Sequence, residues 1–356
     1  MRGIIPGHIL ACMNRILSDA GDERPLYSHF DLIAGTSTGA LLALALACPV
    51  EKSGLEAEKK GSYEVKDTAR RGIFRRPVIS SCGFIAPGAD PEKLEDLYRV
   101  HGPQIFPKNI YSKSLLYPIF SEKYDVLPYE SFLRNSFRDI KLSEMRVPVM
   151  VVCYAPADGK KYIASSWQSH GFTASEAARA SSAAPMYFPP AVLTEKDTGK
   201  ERILVDGGLV ANNPALLAYA GARKLYPEAD EFRMLSLSTC SAACKFDPRD
   251  GFGGITSWAS PITKLYADAS LQVADETASA IKDLVYTRIW APVLEKKVKL
   301  DSTKEETIAV LEKAATDMYR VNESRIKAYM YDLAASGVHE SVRLKDRSKA
   351  LLPSQG

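Results

Sequence analysis

The first patterned stretch, IIPGHILACMNRIL at residues 4–17, places Ile5, Ile9, Leu10, Met13, Ile16 and Leu17 at helical spacing and predicts an amphipathic helix. GDERPLYSHF then reads as a loop, broken by Pro25 and the charged triplet Asp22-Glu23-Arg24. Phe30 to Ala34 is short, apolar and closed by glycine, the pattern of a buried strand, and Thr38 to Ala47 is an Ala- and Leu-rich helix. A polar Lys/Glu stretch, Glu51 to Lys66, is expected to be exposed, and Pro91 to Val100 looks helical. VPVMVVCYA, Val147 to Ala155, has the composition of a central strand. ASEAARASSAAPMYFPP is an Ala-rich helix stopped by Pro185, and RMLSLST is a further strand. Between them ERILVDGGLVANNPALLAYAGARKLY reads strand, glycine turn, helix, with Pro214 at a first helical position.

Beyond Ala242 the pattern changes to helices joined by loops. Ser302 or Thr303, with Glu305 or Glu306 three residues on, predicts the start of a helix running to about Ala335, and KDRSKALLPSQG reads as a frayed tail. Strands alternating with helices predict an α/β fold with a mainly parallel sheet, extended by a helical C-terminal region.

Composition narrows the picture. Over 356 residues, 46% are apolar and 25% charged, the mix of a soluble globular protein, and the formal charge of +3 gives no argument for nucleic acid. The longest apolar run, Ala40 to Cys48, is about half the ~18 to 20 residues that span a bilayer, so any membrane contact is expected to be peripheral. Six scattered cysteines without a secretory signal favour a reduced, cytoplasmic setting. Cys240 and Cys244 have no neighbouring His or Cys to complete a zinc site, and no acidic cluster reads as a calcium loop.

The candidate chemistry sits where the first two apolar runs meet. Gly35-Thr36-Ser37-Thr38-Gly39 fits G-x-S-x-G between a strand and a helix, the context in which that motif turns the serine oxygen outward at a helix N-terminus. Thr36 and Thr38 complete the elbow, and glycines on either side remove side chains that would collide there. A serine needs a base. Of the five histidines (His8, His29, His101, His170, His339), only His339 lies late in the chain, in a polar segment with no strand to deliver it. His170, in SWQSHGF, is a lesser candidate. Asp206 is the stronger one: it ends the apolar run ILV and is followed by Gly207-Gly208, at a strand end where α/β folds place their sites. The alternative for Asp206 is a turn-capping aspartate.

Three blocks, DLIAGTSTGALLALALA, ARASSAAPMYFPP and LVDGGLVANNPALLA, together resemble the patatin-like phospholipase family, and HGPQIFPKN looks like its middle segment. The resemblance implies a patatin-like fold over residues 1–240, its mainly parallel central sheet sandwiched by helices. Outside the resemblance, a helical C-terminal extension over 241–356 is expected to pack on it, frayed in its last ~10 residues. The resemblance implies a serine–aspartate dyad without histidine: Ser37 as nucleophile and Asp206 as the base that takes its proton. The implied reaction is hydrolysis of acyl esters of glycerophospholipids or other acyl lipids through an acyl-enzyme, with no calcium and no cofactor. The family begins with a strand leading into D-G-G-G-x-R-G, whose glycine amides form the oxyanion hole. Here Arg2-Gly3 is what remains of that motif, and because one lost oxyanion donor costs about 10²- to 10³-fold, this chain is expected to be weakly active or inactive.

Two other classes compete. A non-catalytic patatin-like module that binds lipid or a partner would keep the fold without turnover, and a histidine-triad esterase would depend on His170 or His339. Arg70, Arg71, Arg75 and Arg76 around Ile73 and Phe74 are either an anionic-headgroup contact or a solvated loop. Phe106, Tyr111, Leu115, Leu116, Tyr117 and Phe120 either line an acyl pocket or are plain core.

Overall fold

A computed structural model of the chain describes residues 1–49, 91–106, 123–240, 262–290, 294, 298–299 and 301–335. The Glu51 to Lys66 stretch, the Arg70–Arg76 cluster, Tyr111 to Phe120, Cys82, Cys244, His339 and the tail after it lie outside the described residues.

The chain opens with α1 (Ile4–Asp19), then β1 (Ile33–Thr36) and α2 (Thr38–Ala47). Two short helices, α3 (Asp96–Arg99) and α4 (Gly102–Ile105), precede α5 (Leu127–Phe137). Then come β2 (Val149–Ala155), β3 (Lys160–Ser165), α6 (Ala174–Ser181), β4 (Ala191–Thr194) and β5 (Glu201–Asp206). The last elements are α7 (Ala215–Leu225), β6 (Phe232–Leu237), α8 (Ile262–Ala280), β7 (Leu284–Ile289) and α9 (Glu305–Ala335).

β2 organises the main sheet. Its residues alternate between two apolar layers: Val149, Val151 and Cys153 join the large core with α1 and α2, while Met150 and Val152 pack with Ala218 of α7 on the other face. Helices therefore cover both faces, which is why β2 reads as an unbroken apolar run. α2 is buried on all sides from Ala40 to Ala47, so its small Ala and Leu residues reflect close packing rather than amphipathicity.

The α/β class stands, but the sheet is mixed rather than mainly parallel. β1 and β2 pair parallel, as do β6 and β7 in a separate two-stranded sheet, whereas β2–β3, β2–β5 and β4–β5 are antiparallel. Local hydrophobic pattern encodes burial, and strand direction depends on connections that it does not contain. β7 also places a strand in the region expected to be helical. Of its sequence, LVYTRI, only the end residues Leu284 and Ile289 are buried.

The pairing on β2 has a geometric consequence. β3 occupies one edge of β2 from Met150 to Ala155, so β1 (opposite Val149–Val152) and β5 (opposite Cys153–Tyr154) must share the other edge. They enter that edge from opposite directions. β1 ends with Thr36 opposite Val152, and β5 ends with Asp206 opposite Cys153, so the two strands terminate head to head.

Candidate active site

Head-to-head strand ends put the two candidate residues together. Ser37 Oγ donates a 2.6 Å hydrogen bond to Asp206 Oδ2. Ser37 sits between β1 and α2 with φ 53° and ψ −118°, a left-handed conformation that a non-glycine residue adopts only under constraint. Gly35 is required by the same turn: a Cβ there would lie 2.2 Å from the Gly39 carbonyl oxygen. Thr36 Oγ1 donates to the Ala211 carbonyl at 2.9 Å, tying the elbow to the loop that follows Asp206. Thr38 begins α2, and its carbonyl accepts from Tyr98 Oη at 2.7 Å.

Asp206 is held as closely. Its Oδ1 accepts from the Gly208 amide at 2.8 Å, and its own amide donates to the Ala183 carbonyl at 3.0 Å. Gly207 crosses directly over β2, where a Cβ would meet the Val152 carbonyl oxygen at 2.1 Å. Burial pushes the Asp206 carboxyl up to about 6, against the hydrogen bonds from Ser37 and Gly208 that pull it down. A carboxylate with that proton affinity, bonded to a strained serine hydroxyl at a helix N-terminus, can accept the serine proton as a carbonyl is attacked.

Arg2 and Gly3 make separate contacts. Gly3 packs against the Tyr98 ring, 2.0 Å from where a Cβ would stand, and so touches the same tyrosine that bonds Thr38. Arg2 Nη1 donates to the Cys240 carbonyl at 3.1 Å.

The described histidines are engaged elsewhere. His8 bonds Glu95 at 2.7 Å, His29 lies 3.6 Å from Asp22, and His101 packs against the Phe132 ring. Both ring nitrogens of His170 face backbone amides, those of Ser165 and Phe172, so this ring is committed to the loop after β3. Phe106 packs with Tyr124 and Phe188 in the apolar core. A shallow depression of about 340 Å³ lined by Lys160, Lys161, Tyr162 and Arg202 includes neither Ser37 nor Asp206. Among the described residues no cluster of His, Cys, Asp and Glu is arranged to hold a metal, and no helix is long and apolar enough to cross a membrane.

Sequence reading gave no role to Ser181 and Ala183. They lie at the end of α6 and contact the serine amide and the aspartate amide respectively. The only signal for them was the run of small residues ASSAAP, which looks like helix packing.

The family model described as "Patatin-like phospholipase" matches residues 1–219. Patatin-like protein 2 of Arabidopsis thaliana is 27% identical over 365 residues, covering 92% of this chain and 82% of that protein. Patatin-like protein 1 of Arabidopsis thaliana is 26% identical, covering 99% and 87%. A cGAMP-activated phospholipase of Pseudomonas aeruginosa is 28% identical, covering 67% of this chain and 59% of that protein. Among solved structures, VipD from Legionella pneumophila aligns with a TM-score of 0.33 and 11% identity over 91% of this chain and 65% of its own. With the family model spanning more than half of its residues, this chain belongs to the patatin-like phospholipase family.

Proposed function

We propose that the chain is a serine hydrolase of lipid acyl esters, glycerophospholipids foremost, in which Ser37 is the nucleophile and Asp206 the general base. Ser37 Oγ attacks the ester carbonyl while Asp206 Oδ2 takes its proton. The proton passes to the leaving alcohol, and water activated by Asp206 then hydrolyses the acyl-enzyme. The N-terminus of α2 faces the developing oxyanion, and the Thr38 amide, next after the nucleophile, is a donor to it. No step requires calcium. The observation that carries this reading is the 2.6 Å Ser37–Asp206 bond, closed by a serine at φ 53°.

A fluorophosphonate probe tests it. Covalent labelling of the wild type that disappears in Ser37→Ala and in Asp206→Asn is expected. A folded wild type that resists the probe would instead make the protein a non-catalytic lipid- or partner-binding member of its family. Residues 1–356 contain Arg2 and Gly3 of the family's oxyanion loop, and a polypeptide of those residues alone is expected to turn over about 10²- to 10³-fold below one carrying the full glycine loop. We place the reaction in the cytoplasm, at bilayer surfaces. The free thiols Cys12, Cys153 and Cys240 support a reducing setting.

A further inference from the structure

We infer that Ser181 is a positioning residue for the nucleophile: its hydroxyl is a buried strut between β2 and the elbow that fixes where Ser37 Oγ stands relative to Asp206. This rests on the reading of Ser37 and Asp206 as the reacting pair. Ser181 is the last residue of α6 and wholly buried. Its Oγ accepts from the Ser37 amide at 2.8 Å and donates to the Val152 carbonyl at 2.6 Å. A serine hydroxyl has one proton to give, so the direction is set: the proton goes to Val152, and a lone pair receives the Ser37 N–H.

Three consequences follow from that arrangement. The strained φ of Ser37 needs surroundings that over-determine it, and the strut fixes the amide on one side of the residue while Asp206 holds the hydroxyl on the other. Because the Ser37 amide is committed to Ser181, it does not serve the oxyanion, which leaves that work to Thr38 and to donors beyond the elbow. Finally, Val152 is also the residue over which Gly207 passes, and the Asp206 amide is bonded to Ala183, two residues past Ser181. The end of α6 therefore holds nucleophile and base from one rigid point, the nucleophile through a side chain and the base through a carbonyl.

Removing the hydroxyl leaves the serine free to rotate away. Misplacement by about 1 Å in such a pair costs on the order of 10²-fold. It also weakens the Ser37–Asp206 bond that lowers the affinity of Asp206 for its proton, so the acid limb of the rate moves to higher pH. Tyr129 on α5 and Cys153 on β2, the other titratable groups facing Asp206, are held neutral by burial and do not titrate in that range.

The experiment compares wild type, Ser181→Ala and Ser181→Cys by fluorophosphonate labelling rate against pH, together with hydrogen exchange of the segment spanning Ser37. For Ser181→Ala the expected result is labelling slowed about 10- to 100-fold, an acid limb shifted upward, and faster exchange at the elbow. Ser181→Cys, which keeps the volume with a weaker donor and acceptor, falls between the two and carries the test if the alanine variant does not fold. Labelling within twofold of wild type with an unmoved acid limb overturns the inference. If the wild type itself resists the probe, the hydrolase reading fails, and exchange decides the strut alone: faster exchange in the variants upholds it and unchanged exchange overturns it.

Discussion

Two buried carboxylates stand at opposite ends of the β4–β5 pair, and they differ in kind. Glu195, just past β4, is 6% exposed, and Asp206, ending β5, is 7% exposed. Their exposed surface is thus alike, although Asp206 lies deep in the protein and Glu195 near its surface. Glu195, however, is gripped by Arg202 Nε at 2.8 Å, by Tyr162 Oη at 2.8 Å and by Thr198 Oγ1 at 2.7 Å. Burial alone would raise its carboxyl, but these donors, Arg202 foremost, bring it down to about 2. Among the described residues Asp206 has a serine hydroxyl, one glycine amide and no cation, so its burial prevails and its carboxyl rises to about 6. Depth and the lack of a counter-cation act together to make Asp206 the basic one of the two.

The largest effect expected is at Asp206. Asp206→Asn should lower the labelling and hydrolysis rates by roughly 10³- to 10⁴-fold, as when a positioned base is lost from a serine hydrolase. The same variant should melt no lower than wild type at pH 8. The folded carboxyl binds its proton more tightly than the unfolded one, so the stability linked to it is full below about pH 4 and lost as pH rises through about 6. A drop in Tm alongside the lost rate would show that Asp206 is structural instead.

Next in size is the pH dependence of the wild type. Its labelling rate should fall about tenfold per pH unit below about 6, following protonation of Asp206. A midpoint near 4 would mean that an ordinary solvated carboxylate does the work.

Glu195→Gln sharpens the contrast from the other side. It should cost about 1–3 kcal/mol of stability, because Arg202 loses a charged partner and retains Asp158 at 2.9 Å. The labelling rate per folded molecule should stay within about threefold. Here the sign is reversed: the folded carboxyl is depressed, so its contribution is present above the ordinary value of 4.5 and lost as pH falls toward 2. The Tm difference between wild type and variant should therefore shrink in that window.

The smallest effect is expected at His170. His170→Asn should leave labelling within about twofold, whereas a loss comparable to that of Asp206→Asn would restore a histidine mechanism.

What the sequence disclosed and what it withheld divide along the same line as local and non-local information. Ser37 is legible because the whole elbow, strand, glycines and helix lies within Phe30 to Ala47. Asp206 is legible as a strand-end carboxylate beside two glycines. That β5 runs against β2, and so meets β1 end to end, is not legible, since a short strand such as ERILVD has the same alternation in either direction. β3 was missed because Lys160 and Lys161 start it with charge, and β7 because it follows a long helix. Ser181 was invisible for a different reason: a serine that ends an alanine helix reads as a filler, and its two bonds reach residues 29 and 144 positions away.

The packing of α9 along α1 bears on how this protein is made. α9 is about 45 Å long, and its Leu311, Ala315, Met318, Ile326 and Met330 belong to the same core as Ile5, Ile9 and Met13 of α1. During translation the apolar side of α1 leaves the ribosome roughly three hundred residues before its cover in α9 is synthesised. Until then the nascent polypeptide carries a sticky, unfinished face. A polypeptide cut before α9 would leave that face of α1 open to water, so sealing it depends on a segment far away in sequence.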